Sequence, residues 1–128
     1  MPSSRACLFA LVLIGTTHHA GVAGAKILEV GAGKPYAMPS AAIAASADGD
    51  TVRIDAGTYT DCAIIATNVT IEGAGPDAST VITDKICGGK ALLVTNGTDI
   101  TIRNLTLQNA KVAEHNGAGI RAQGGTHR

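Results

Sequence analysis

The chain has 128 residues, ten Lys or Arg against ten Asp or Glu, 45% hydrophobic residues and only 2% aromatic ones. That length allows one domain, and the balanced charge offers no clustered Lys and Arg of the kind that nucleic acid or an anionic membrane requires. With aromatic side chains nearly absent, any core has to be built from Val, Ile, Leu and Ala.

Arg5 precedes an apolar run from Ala6 to Gly15, and Ala23-Gly24-Ala25 gives a small-x-small cleavage pattern before Lys26. The competing reading is a membrane anchor, but the run falls short of the roughly 20 apolar residues that a span needs. Residues 1–25 are therefore expected to be a signal peptide, and 26–128 an exported chain, secreted or periplasmic, with no membrane span once the leader is removed. The exported part has 103 residues and a formal charge of −1, since the leader takes only Arg5 with it.

Lys26 to Val30 reads as a short edge strand, and Pro35 to Pro39 as a loop. From Ser40 to Ala47 the chain is nearly all alanine, which predicts one short helix with Ser40 as N-cap and Asp48-Gly49 as its stop. Such a helix would plug the open end of a stack of strands, because repeat folds need an atypical terminal unit to keep the first core layer dry. Strands follow at Thr51–Ile54, Cys62–Ile65, Val69–Glu72 and Val81–Thr83. Turns are expected at Ala56–Tyr59 and, from its Gly and Pro, at Gly73–Asp77. After a loop at Ile86–Gly89 the strands return at Ala91–Val94, Ile100–Arg103 and Leu105–Gln108, and Gly117–Ala122 begins one more.

The stretch Thr98–Asn109 organises these strands. Its apolar residues, Ile100, Ile102, Leu105 and Leu107, alternate with one step of three. Side chains on a straight strand change face with period two, so only a bend at Arg103-Asn104 turns all four inward. The phrase TNVTIEGAG at Thr67–Gly75 matches it at an offset of 31, with Val69 and Ile71 in the places of Ile100 and Ile102. Ile64 matches Leu93 at 29, and Leu93 matches Ile120 at 27. Near-constant return over about 20–50 residues is the mark of a solenoid.

Cys7 falls in the leader, leaving Cys62 and Cys87 as an even pair in an exported chain. Being 25 residues apart, close to one repeat, they form either a disulfide between neighbouring levels or two buried thiols. No second Cys or His stands at metal-ligand spacing beside them. Gly31-Ala32-Gly33-Lys34 fails as a phosphate loop, because Pro35 follows the lysine and the six-residue lead is missing. Asn68, Asn96 and Asn104 each open an N-x-T triplet, readable as a glycan acceptor or, for Asn68 and Asn104, as an amide satisfying polar groups at a bend.

Taken together, AAIAASADGDTVRIDAGTYTD (Ala41–Asp61), NVTIEGAG and DITIRNLTLQN resemble the N-terminal end of the right-handed parallel β-helix proteins of the pectate lyase superfamily. HNGAGIRAQGG (His115–Gly125) is similar to a further coil in exported bacterial members. The resemblance implies an all-β, right-handed parallel β-helix with a short N-terminal capping helix; because no capping pattern follows Ala122, the stack is expected to be incomplete at the C-terminus, as a fragment of a longer protein, with closure by a partner as the alternative. The resemblance also implies a carbohydrate-related role, either polysaccharide binding or pectate-lyase-like modification. The alternative is a non-catalytic structural or surface-interaction protein on the same coils, since fold does not settle function. Calcium belongs to a longer catalytic parent, with no cofactor expected in this segment, and no family catalytic residue maps onto a position here.

The residues themselves offer one candidate cluster. Asp84 and Lys85 precede Cys87, while Glu114, His115 and Arg121 surround the last turn. Lys85, His115 and Arg121 would meet a sugar acid, the arginine pairing with a carboxylate and His115 or Lys85 moving a proton; the competing reading is ordinary solvated loop charge. A Ser-His-Asp arrangement has no support, as only His115 and His127 survive processing.

Overall fold

The computed structural model describes residues 24–124, and 126 and 127 for the backbone alone. The expected leader, Cys7 included, lies outside the described residues except for Gly24 and Ala25. The elements are β1 (Ile27–Val30), α1 (Pro39–Ala45), β2 (Thr51–Ile54), β3 (Gly57–Asp61), β4 (Ala63–Ile65), β5 (Thr70–Gly73), a 3-10 turn (Pro76–Ala78), β6 (Thr80–Asp84), β7 (Ala91–Thr95), β8 (Asp99–Arg103), β9 (Thr106–Gln108), β10 (Ala118–Ala122) and β11 (Thr126–His127).

The strands form three parallel sheets, a long one in the order β1-β2-β5-β8-β11 and two shorter ones, β3-β6-β9 and β4-β7-β10. From β2 onward the chain visits the three sheets in strict rotation, so that each sheet gains one strand per circuit. This mostly-β, all-parallel arrangement of short strands with one helix is compatible with a solenoid.

The register explains the repeat. Ile71 lies beside Ile102 and Thr70 beside Thr101, as the 31-residue offset requires, and Leu93 lies beside Ile120. The 29-residue match needs correction, because β4 pairs Ala63 with Leu93 and Ile64 with Val94. A one-residue slip moves a side chain to the opposite face. Ile64 is accordingly 57% exposed, while Ala63 and Ile65 on either side of it are buried.

The core runs up the middle of the stack. Val30, Val52, Ile54, Ile65, Ile71, Ile82 and Leu93 are all fully buried, and Tyr36, Tyr59, Ile102, Leu105 and Leu107 pack partly against them. Burying a Val, Leu or Ile side chain contributes about 1.5–3 kcal/mol each, so these aliphatic columns carry the fold without aromatic residues. The bend predicted between Ile102 and Leu105 falls at Asn104, whose φ of 55° is left-handed. Asn tolerates that region better than most residues, and its amide then clamps the corner above. Nδ2 donates to the carbonyls of Gly73 and Gly75, both at 2.7 Å, and Oδ1 accepts from the Ala78 N–H at 3.0 Å. Gly73 is needed there because a Cβ would run into the Asn104 carbonyl. The amides at the corners thus bind the backbone of the neighbouring level.

Three local expectations shift. The helix starts at Pro39, with Met38 at the cap position. Proline has no N–H to lose in the first turn, and the Ser40 N–H is taken by the Asp61 carboxylate of β3 at 2.7 Å. The helix stops before Ser46, whose hydroxyl and N–H both donate to the Ile43 carbonyl, ahead of Asp48-Gly49. Ala42 and Ile43 are buried in the core, which places the helix over the end of the stack. The turn expected at Ala56–Tyr59 is largely the strand β3: it pairs with β6, and Tyr59 sits in register with Ile82. Finally, the backbone of Thr126 and His127 adds a strand to the long sheet beside Asp99 and Ile100, where no strand was expected.

Candidate functional site

Cys62 follows β3 and Cys87 follows β6, so the two occupy the same corner of successive levels and are joined by a disulfide with Cα atoms 5.6 Å apart. The bond anchors the β6–β7 connection. Behind it the chain makes a tight turn in which the Lys90 N–H donates to the Cys87 carbonyl, with Gly88 and Gly89 both left-handed at φ 59° and 67°. The turn folds back over the β4-β7-β10 sheet: Val94, whose neighbour Ile64 is exposed, is 2% exposed and lies against Gly88.

The next level repeats the plan with a longer connection, Asn109 to Gly117. Asn109, at φ 58°, donates from Nδ2 to the Thr83 hydroxyl, which in turn donates to the Asp84 carboxylate at 2.9 Å. Lys90 and Glu114 approach to 4.0 Å across the two connections. The outer connection encloses a depression of about 300 Å³ lined by Ala110, Lys111, Val112, His115 and Gly117. Gly117 is tightly seated, since a Cβ there would meet the Ala110 carbonyl.

The structure brings Lys85 and His115 to stacked connections on one corner, and both are exposed. Arg121 stands apart on β10, in register with Val94, on the outward row that begins with Ile64. Lys85, His115 and Arg121 make no ion pair or side-chain hydrogen bond among the described residues. Asp84 and Glu114, by contrast, are engaged by Thr83 and Lys90. Lys111 and Lys90 join the cationic group. Sequence reasoning missed both, because their place depends on how the two connections stack; the presence of a lysine in each connection was the only signal.

At the corner between the β4-β7-β10 sheet and the long sheet, a shallow groove of about 470 Å³ runs over the starts of the long-sheet strands, lined by Asp48, Gly49, Asp50, Asn68, Val69, Thr70, Asp99 and Thr101. Asp50 is held by its own chain. It accepts from the N–H groups of Ala47 and Lys26, each at 2.9 Å, and these two bonds, Ala47 first, hold its carboxyl below the usual carboxylate range. Asp48 accepts from the Asn68 N–H at 2.9 Å, and Asn68 Oδ1 accepts from the N–H groups of Thr98 and Asp99.

The calcium that the resemblance attaches to catalytic relatives finds no fit, because no three His, Cys, Asp or Glu side chains among the described residues converge to hold a metal ion. No helix among them is long and apolar enough to cross a membrane, and the disulfide fits a non-cytoplasmic protein. The chain matches no family model, no curated protein and no solved structure.

Proposed function

We propose that this chain is an exported right-handed parallel β-helix of the pectate lyase kind, and that it binds an acidic polysaccharide along the flank formed by the stacked connections 85–90 and 109–117. The rotation of strands among three parallel sheets supports the fold, and parallel crossovers within one sheet are right-handed in nearly all proteins. One observation carries the ligand. Two stacked connections place Lys85, Lys111 and His115 along one flank of a sheet whose outward row ends in Arg121, with Lys90 set against Glu114. A polyuronate lying along this flank would meet a lysine at each of two successive levels, Lys85 and then Lys111.

Titration of the exported chain with hexagalacturonate tests the reading. The expected result is saturable binding that weakens as salt is raised and falls about tenfold when Lys85, Lys111 and Arg121 are all replaced by Ala, each exposed charge contributing about 0.2–1 kcal/mol. Binding that ignores both salt and these substitutions would sink it.

A further inference from the structure

The outward rows of the long sheet differ in kind. Register places Glu29, Arg53, Glu72 and Arg103 in one row across four successive strands, and this row is largely self-compensated. Arg103 donates from Nε and an Nη to one Glu72 oxygen, at 2.9 and 2.7 Å, and Lys34 pairs with Glu29 at 3.1 Å. The next row is Ile27, Thr51, Thr70 and Thr101. It lies between the taller charged row and the rim formed by Asp48, Asn68 and Asp99, and so forms the floor of a trough that runs along the stack.

The hydroxyls of this floor are not used by the fold. Elsewhere, Thr80 Oγ1 donates to the carbonyls of Ile54 and Asp55, Thr106 Oγ1 to that of Ala78, and Thr83 Oγ1 to Asp84. Thr51, Thr70 and Thr101 have no side-chain hydrogen bond among the described residues, although each is half-buried in the sheet face. Asn68 spends its Oδ1 on two backbone amides and keeps Nδ2 for a ligand. Ile27, 60% exposed at the head of the row, adds an apolar patch suited to the C–H face of a sugar ring.

We infer that this trough is a second, separate glycan site, for an uncharged, extended, β-1,4-linked chain. Successive strands stand about 4.8 Å apart, so the hydroxyls recur at an interval comparable to the advance of one sugar in such a chain. The chemistry of the walls sets the class. The exposed Asp48 accepts from sugar hydroxyls, the negative charge of Asp48, Asp50 and Asp99 repels sugar carboxylates, and the Thr hydroxyls and Asn68 Nδ2 donate. A polyuronate is thereby turned away from the trough, and a neutral chain has nothing to gain from the lysines on the opposite flank. The protein would hold an acidic polymer on one face and a neutral one on the other, bridging the two.

The trough does not depend on the reading given for the basic flank, and titrations followed by amide NMR separate them. Cellohexaose, mannohexaose and xylohexaose are each titrated into the exported chain, into Thr70→Val/Thr101→Val, and into Lys85→Ala/Lys111→Ala. Valine keeps the shape and strand preference of threonine, so the first variant removes hydroxyls without unmaking the sheet. At least one neutral hexasaccharide is expected to shift the amides of Asn68, Thr70 and Thr101 saturably. Its affinity should fall about tenfold in the valine variant, for two lost hydrogen bonds, and stay within twofold in the alanine variant. Shifts absent with all three sugars, shifts unchanged in the valine variant, or hexagalacturonate shifting the same amides as strongly would overturn the inference. Hexagalacturonate failing at the basic flank, with the trough signals intact, would count only against the acidic-polymer reading.

Discussion

Two of the three corners of the stack solve the same problem in different ways. At the corner between the long sheet and the β3-β6-β9 sheet, β8 reaches β9 across only Asn104 and Leu105, and Asn104 spends three hydrogen bonds on the level above. At the corner between β3-β6-β9 and β4-β7-β10 the link grows from Cys62 alone, through 85–90, to 109–117. There the same jobs fall to a disulfide, a left-handed Gly pair and one long ion pair. The longest link at the first corner, 74–79, is drawn into a 3-10 turn and bound by Asn104. The links of the second corner lengthen at each level and project side chains, and the unengaged cations of the basic flank are found there.

Substitutions should break this contrast in a definite order. Replacing Cys62 and Cys87 by Ser together is expected to cost about 3 kcal/mol, the loop-entropy value for a closure of this span, read as a shift in the urea midpoint. It should also raise proteolysis at Gly88-Gly89 before any other site. If cleavage begins elsewhere, the disulfide is not what holds that connection. Asn104→Ala should cost about 2–3 kcal/mol, for three lost hydrogen bonds and a strained left-handed residue. Asn104→Gly should recover the backbone share of that loss only, and equal costs for the two would show that the amide contributes nothing.

A smaller effect is expected at Asp50. Its carboxyl is held below its ordinary value by the Ala47 and Lys26 N–H groups. The stability it supplies is therefore complete above the unfolded value of 3.8 and is lost as the pH falls through the lower folded one. Acid unfolding followed by circular dichroism should show less stability loss between pH 4 and pH 2 in Asp50→Asn than in the parent (about these limits, from the shift direction). Identical acid slopes would dismiss the role. Least of all should come from Arg103→Ala, about 0.5 kcal/mol or less at low salt and nothing at high salt, because the pair is exposed; a larger change would mean that the charge row stabilises the long sheet.

The stacking of short parallel strands was legible because of one irregular step. Ile102 and Leu105 could both face inward only if the chain turned at Arg103-Asn104, and the left-handed Asn104 is that turn. The offsets of 31 and 27 likewise read true as register. The slip at Ile64 arose because Ile64-Ile65 offers two adjacent isoleucines, and only the buried Ala63, a weak signal, tells which phase is inward. β3 was hidden for a related reason: Gly57-Thr58-Tyr59 has the local chemistry of a turn, and its pairing with β6, 23 residues on in sequence, makes it a strand. For the basic flank, Lys85 and His115 could be picked out as unpaired charges beside loops, whereas Lys111 becomes part of it only when 109–117 folds over its depression.

By itself the sequence determined the period of the stack, the aliphatic character of its core and the place of its sharpest bend, because these follow from side-chain spacing along one strand. The tertiary structure alone decided which residues became neighbours across levels: the row of idle threonines, the stacked cations, and the carboxylate of Asp61 that meets the helix start. Such neighbours lie a full circuit of chain apart, and their positions depend on connection lengths that no local pattern encodes.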